Sequence, residues 1–282
     1  CDFSKVQQPL NGNGETKSLE QFNRSLHFGQ FTPRFSMQYL SSHNQLFYAS
    51  VSKGYKAGGF NVSFLNNDDY LYSPEYNWNY EIGTKLSFLN NRLSADLSLF
   101  YIDWRNQQIT NTIPTVGNVI RNAGRSRNKG IEASFQARPT KSWMMYMNYG
   151  YTDARFVHYQ KEERGILKDY EGNYLPMVPR HTFSLTTGYS FYDICSWIDR
   201  LTLNAGVSVT GPIYWYEDNQ AKQSPYALVN LRISINKGCF TWEAWSKNLT
   251  NTDYLSYYFV TSKAYAQKGK PITLGTSVSI SL

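Results

Sequence analysis

Charge is scarce in this chain. Asp, Glu, Lys and Arg make up 17% of its 282 residues, against roughly a quarter in an ordinary soluble domain. Long apolar runs are missing as well: no stretch reaches 18 residues, which excludes a helical membrane span. Histidine is confined to His27, His43, His158 and His181, at spacings that fit no zinc site. The three cysteines, Cys1, Cys195 and Cys239, cannot make a disulfide framework and read as isolated thiols; for Cys1 a lipidated N-terminus is the other reading. There is no Gly-x-Ser-x-Gly elbow and no phosphate loop. Gly12-Asn13-Gly14 lacks a following helix and reads as a flexible loop. Heptads and a glycine period are absent, which excludes coiled coil and collagen. These absences lead us to expect no enzyme, no resident cofactor and no bound metal.

Aromatic residues are abundant. They make up 16% of the chain, and 23 Tyr outnumber 16 Phe and 7 Trp. Such a composition excludes disorder, although the mean hydropathy is −0.50. The net charge is +7, but Lys and Arg are scattered, so a nucleic-acid partner is not expected. Attraction to an anionic ligand or to lipopolysaccharide stays open.

The dominant pattern has period two. Tyr76, Trp78, Tyr80, Ile82, Thr84, Leu86 and Phe88 alternate with Asn77, Asn79, Glu81, Gly83, Lys85 and Ser87. Asn90 and Asn91 then supply a tight turn, after which Leu93, Ala95, Leu97, Leu99 and Tyr101 alternate with Ser94, Asp96 and Ser98. Near the C-terminus Ile272, Leu274, Thr276, Val278, Ile280 and Leu282 alternate with Thr273, Gly275, Ser277, Ser279 and Ser281. About eleven strands follow, near 32–41, 45–57, 75–89, 92–107, 119–138, 142–156, 179–192, 199–214, 225–236, 239–250 and 272–282. Short connections fall at 42–44, 90–91, 139–141, 193–197 and 236–238. Long ones fall near 58–74, 108–118, 157–178, 215–224 and 251–271. Residues 1–30 carry no strand pattern and read as an extracellular loop or disordered lead-in; 31–282 read as one β-domain.

Three features favour a membrane barrel over a soluble sandwich. The strands are longer than the usual five or six residues. One face is small and polar, while the other is apolar with rings at its ends. The connections alternate strictly between short and long, whereas Greek-key connections would mix them. The expected fold is therefore all-β, a transmembrane antiparallel up-and-down barrel. Glu81, Lys85, Asp96, Glu132, Arg232 and Glu243 fall on the polar face, where they avoid the cost of a charge in lipid. Such chains finish on the periplasmic side, which puts every long connection outside.

Several segments, in order, resemble the TonB-dependent outer-membrane receptors. One runs from Tyr48 through Lys53, Gly54, Tyr55, Lys56, Gly58, Gly59 and Phe60 to Asn61. Others are Pro74-Glu75 to Lys85, Phe100-Tyr101-Ile102-Asp103-Trp104, Asn122-Ala123-Gly124 with Lys129-Gly130-Ile131-Glu132, and Tyr149 to Ala154. Pro179-Arg180-His181, Lys247-Asn248-Leu249-Thr250-Asn251 and the closing strand complete the set. The resemblance covers roughly 31–282. It implies a 22-stranded barrel of the bacterial outer membrane, of which this chain is the C-terminal portion, about eleven strands, with the plug domain, the coupling segment and a signal peptide absent. It also implies partners: the protein's own N-terminal plug and barrel half, TonB through the missing N-terminal part, the lipid bilayer, lipopolysaccharide and a small iron chelate. The barrel-assembly machinery would read the C-terminal strand, although Leu282 replaces the family's usual terminal aromatic residue.

The expected function is import of a ferric siderophore or a related iron complex such as haem. Alternatives are import of a glycan or cobalamin, or a barrel adhesin without transport. Tyr214, Trp215, Tyr216, Tyr257 and Tyr258, with Arg121, lie at outer strand ends and loops. Rings plus Arg suit a flat anionic ligand, and the competing reading is a membrane-boundary girdle. Gly54, Gly58 and Gly59, with Glu81 and Glu132, are candidates for the wall that faces the plug; for the glycines the alternative is bulge or loop geometry.

Overall fold

The computed structural model describes residues 25–41, 45–64, 69–113, 116–122, 124–163, 166–260 and 263–281. Cys1, the Gly12-Asn13-Gly14 loop, most of the lead-in, the 42–44 turn and Leu282 lie outside the described residues.

Twenty-one strands follow in chain order. They are β1 Arg34–Leu40, β2 Leu46–Lys56, β3 Gly59–Phe60, β4 Leu71–Tyr72, β5 Glu75–Phe88, β6 Leu93–Arg105 and β7 Gln108–Ile113. Next come β8 Gly117–Asn122, β9 Arg125–Ala137, β10 Trp143–His158, β11 Gln160–Glu163, β12 Ile166–Asp169, β13 His181–Cys195 and β14 Ile198–Thr210. The last are β15 Ile213–Tyr214, β16 Lys222–Gln223, β17 Tyr226–Lys237, β18 Phe240–Lys247, β19 Leu255–Val260, β20 Ala264–Lys268 and β21 Thr273–Ile280. Eleven of them form one antiparallel meander, β1-β2-β5-β6-β9-β10-β13-β14-β17-β18-β21, with β1 and β21 at its two edges. The other ten pair as five two-stranded ribbons. Every ribbon belongs to a long connection, and all long connections leave the same end of the sheet.

The eleven sheet strands fall where the period-two pattern put them, with corrections at their loop ends. The stretch expected as one strand over 119–138 divides: β8 belongs to a ribbon and β9 to the sheet. The break lies at Gly124, where a Cβ would collide with the His158 carbonyl. The stretch 199–214 likewise ends at Thr210 in the sheet, and Ile213 begins a ribbon. The long connections, expected as loops, satisfy their backbone groups by pairing with themselves.

Register fixes the faces, because side chains alternate. On one face Ile82 lies opposite Leu99, Leu99 opposite Ile131, and Ile131 opposite Tyr151. A level nearer the short turns reads Thr84, Leu97, Ala133, Tyr149, Phe183, Val209 and Ala227. These side chains are not packed: Ile82 is 59% exposed and Val278 67%. Such exposure suits a face whose solvent is hydrocarbon. Rings border this face at both ends, with Trp78, Tyr80 and Tyr101 toward the long loops and Tyr189, Phe191 and Trp242 toward the short turns. From Tyr80 to Phe88 is nine residues, about what a tilted strand needs to cross the hydrocarbon.

The opposite face carries Glu81, Lys85, Asp96, Glu132, Arg232 and Glu243, all at the expected parity. Arg232 Nη1 lies 3.9 Å from Glu243 Oε1, and the Tyr48 hydroxyl donates to Glu81 at 2.7 Å. Three rings on this face stand directly opposite glycines: Tyr48 opposite Gly83, Phe100 opposite Gly130 and Trp245 opposite Gly275. A Cβ at any of these glycines would meet that ring, so each ring lies over its glycine.

The short turns use left-handed residues. Asn90 and Asn91 have φ of 54° and 64°, which Asn tolerates at the centre of a hairpin turn. Gly238, at φ 53°, fills the same need between β17 and β18.

Candidate ligand-binding rim

The buried side chains concentrate at the long-loop end. Ala154 and Phe156, at the end of β10, pack with Tyr159, Tyr170 and Leu175 of the following connection. The Phe156 and Tyr159 rings lie 4.8 Å apart. Asn219 ties this connection to the next one: its Oδ1 accepts from Tyr174 N at 2.7 Å and its Nδ2 donates to Tyr174 O at 2.9 Å. The Tyr174 ring stacks on Tyr214 at 5.5 Å and 6°.

The aromatic candidates divide among roles. Trp215 is only 5% exposed, and it follows the short β15 strand. Its ring lies 6.4 Å from both Tyr257 and Tyr258 of β19. Tyr216 meets Tyr258 edge-on at 6.2 Å, and its hydroxyl accepts a hydrogen bond from Val260 N at 2.6 Å. Burial raises the Tyr216 pKa above its ordinary value, so it stays a neutral phenol. The structure thus brings Trp215, Tyr216, Tyr257 and Tyr258 into one assembly that spans two outer connections, while the Tyr214 ring stacks on Tyr174 of a third. Tyr257 is its open member, at 42% exposure. The buried Trp215 Nε1 has no hydrogen-bond partner among the described residues.

Arg121 takes its bonds from a different place. Its Nε and Nη2 donate to the two carboxylate oxygens of Asp69, both at 2.6 Å, a bidentate pair. Beside it the buried Asn61 donates to Asp69 O at 2.7 Å and to Ile120 O at 2.8 Å, and it accepts from Ile120 N at 2.8 Å. Arg121 and Asn61 together fasten the first long connection to the β7–β8 ribbon.

The wall candidates also separate. Gly54, Glu81 and Glu132 lie on the polar face, Gly54 directly opposite Asn77 and Glu132 opposite Ser98. A Cβ at Gly54 would come within 2.8 Å of the Asn77 amide. Gly58 and Gly59 sit beyond the sheet, where a Cβ would collide with the Tyr72 carbonyl and hydroxyl respectively. Close approach within the first long connection accounts for these two.

Sequence reasoning named Asn61 and Asn248 only within the family-like segments, without a role, and did not name Asn219. Asn248, buried and at φ 49°, donates to Thr252 O and Lys270 O at 3.0 Å and accepts from Thr252 N at 2.9 Å. The only available signal was an Asn beside each strand end. Among the described residues no group of three or more His, Cys, Asp or Glu could hold a metal, and Cys195 and Cys239 are free and exposed.

An antiparallel meander with one apolar face, ring borders and all long loops at one end defines the wall of a transmembrane β-barrel. Residues 3–251 match the family model described as TonB dependent receptor-like, beta-barrel. The chain belongs to this family, whose members are barrels of the outer membrane. It is 26% identical over 79% of its length to the probable TonB-dependent siderophore receptor PiuA of Acinetobacter baumannii, covering 30% of that protein. It is 26% identical over 89% of its length to the pesticin receptor of Yersinia pestis, covering 36% of it. Among solved structures, the ferric yersiniabactin uptake receptor FyuA of Yersinia pestis superposes with a TM-score of 0.74 at 23% identity, over 88% of this chain and 36% of that one. The chain spans about a third of the length of the curated relatives it matches.

Proposed function

We propose that this chain is barrel wall and outer rim of a TonB-dependent importer of a ferric siderophore or related iron complex. The observation that carries the reading is family membership, together with relatives whose names include siderophore and pesticin receptors. The ferrichrome outer membrane transporter/phage receptor of Escherichia coli, 25% identical over 82% of this chain, adds to that support.

On this reading the protein binds and passes its ligand and performs no bond-making chemistry. The ligand meets the aromatic assembly first, with the exposed Tyr257 offering a ring for stacking. Trp215 and Tyr216 hold the two outer connections together beneath it, and Arg121 holds a third. Gly54, Glu81 and Glu132 face a plug inside the barrel. TonB acts through a part of the protein outside this chain, and the assembly machinery reads β21.

The test is to replace Tyr257 by Ala in the full-length protein, check assembly by heat-modifiable gel mobility, and titrate ferric catecholates, ferric hydroxamates and haem. Loss of one ring contact predicts about a three- to tenfold weaker affinity for the cognate complex. An assembled barrel that binds none of these complexes, yet takes up a glycan or cobalamin, would overturn the reading.

A further inference from the structure

The short turns do not end at one depth. One cross-strand level runs from Phe88 through Ala137 and Thr187 to Leu231. Below it the four hairpin ends comprise 89–92, 138–144, 188–204 and 232–245, which is 4, 7, 17 and 14 residues. Strand tilt shifts successive hairpins by a constant step along their neighbours, and the other three fit a step that allows the third about ten residues. The β13–β14 hairpin exceeds that by about three residues on each strand, or roughly 8 Å along the barrel axis.

This excess stands clear of its neighbours. β10 pairs with β13 only as far as Tyr189, with one further bond from Ser190 N to Ser142 O. β14 keeps β17 as far as the pair of Arg200 with Asn236. Asp199 is the last point of support: its carboxylate accepts from Lys237 Nζ at 2.7 Å and from Gly238 N at 2.8 Å. Every residue from Phe191 to Trp197 is exposed. Trp197, at 82%, is more exposed than any other large hydrophobic residue described, and Ile194 is 46% exposed. The neighbouring turns carry Asn90-Asn91, Pro139-Thr140-Lys141 and Lys237-Gly238 instead.

Depth decides what can cover the tip. Phe191 lies in the ring row that borders the hydrocarbon, and the chain from there to Ser196 advances about 12 Å along a tilted strand. The headgroup layer is only about 5–8 Å deep. Trp197 therefore stands in water beyond the interface where girdle rings sit. The rest of the barrel wall joins at β1 and β21, six and four strands away from β13, and does not reach it. An exposed indole beside an exposed Ile is the kind of apolar anchor that fills a pocket in a protein interface. Asp193, exposed and at φ 52°, has no ion pair among the described residues and sets the sign of charge beside that anchor.

We propose that the β13–β14 tip docks a soluble protein of the periplasm, one that presents a ring-sized apolar pocket to Trp197 with a Lys or Arg at its edge for Asp193. The inference rests on the barrel reading with the short turns in the periplasm, but not on the identity of the imported ligand.

The test places the photocrosslinker p-benzoylphenylalanine at position 197 of the full-length protein in living cells, with positions 91 and 140 on the neighbouring turns as controls. Position 197 should give one light-dependent adduct whose second component is a single soluble periplasmic protein, and the controls should give none. Titration of that protein, purified, onto assembled barrels should show W197S at least about tenfold weaker than wild type. W197F should stay within about threefold, and D193N should be about threefold weaker with a smaller salt dependence. These variants should keep heat-modifiable mobility, since the tip supports no other part of the sheet. Should W197S fail to assemble, D193N and crosslinking from position 194 decide. Adducts to lipid, to a membrane-embedded protein or to another part of the same chain would each overturn the proposal. So would equal adducts from the control positions, no adduct at all, or unchanged affinity in W197S. Ferric-chelate titration keeps the two readings apart: W197S should leave it unchanged, and a barrel that gives the adduct but binds no chelate fails only the import reading.

Discussion

The sheet and the ribbons are built on opposite terms. The sheet buries almost nothing of its own: its large side chains stand exposed on one face, and of the eight buried hydrophobic residues among those described only Ala95 lies well within it. The other seven, among them Val119, Phe156, Tyr170 and Trp215, sit at the long-loop end. The sheet depends on its strand neighbours and on a hydrocarbon solvent. The ribbons carry a small core of their own, fastened by asparagines.

This contrast can be broken first at the sheet edges. β1 and β21 each have one unpaired side among the described residues, and an unpaired backbone group in hydrocarbon costs several kcal/mol. Expressed by itself, the chain should aggregate and show no heat-modifiable band; co-expression with the rest of the protein should restore one. A stable, lipid-inserted species formed by this chain alone would refute the dependence.

The faces come next. Leu97→Arg puts a charge on the hydrocarbon face and should cost about 2–4 kcal/mol in unfolding from lipid vesicles, whereas Ser98→Arg, on the polar face, should cost under about 1 kcal/mol. The same parity predicts that bilayer-partitioning reagents label cysteines placed at Leu93, Leu97, Leu99, Val278 and Ile280. Cysteines at Ser94, Asp96, Ser277 and Ser279 should escape them.

In the core at the long-loop end, Phe156→Ala, at the end of β10, removes the best-buried ring, 2% exposed, and should cost about 3 kcal/mol. The loss should stay local: protease should cut within 159–180 while heat-modifiable mobility is kept. Asn61→Ala leaves carbonyl and amide groups of two connections without partners and should cost about 1–3 kcal/mol, read as faster amide exchange at Ile120. The smallest effect is acid. The Gln160 side chain and Glu171 N donate to Asp169 and hold its carboxyl below the ordinary value. A depressed pKa contributes stability above the unfolded value, near 4, and the contribution is lost as pH falls through the folded one. Amide protection factors in β11–β12 should therefore fall below about pH 4 and stay constant from 5 to 8.

The same contrast decides what could be read from the chain. A strand between lipid and water must alternate, so Tyr76 to Phe88 announces both its length and its faces. Asn90 with Asn91 announces the turn. The ribbons bury rings on whichever side the neighbouring connection lies, which leaves no period to follow. Tyr170 and Tyr214 looked alike in sequence until the backbone placed one in a core and the other on a stack. The division at Gly124 was hidden because strand-like residues continue through it. Cross-strand pairing was hidden for a related reason: Arg125 and Arg127 alternate as a strand should, and only register sets them against Arg105 and Arg155.

The ring-on-glycine pairs of the polar face have a consequence for the profile of the inner wall. A ring standing upright on an inner wall reaches about 6 Å into the bore, whereas one lying flat is little more than 3 Å thick. By lying over Gly83, Gly130 and Gly275, Tyr48, Phe100 and Trp245 line the inner face without projecting as far from it. Clearance is thereby set by the smallest residue on the neighbouring strand. Adding a single methyl at Gly275, where the nearest atoms all belong to the Trp245 ring, would lift that ring off the wall and into the bore.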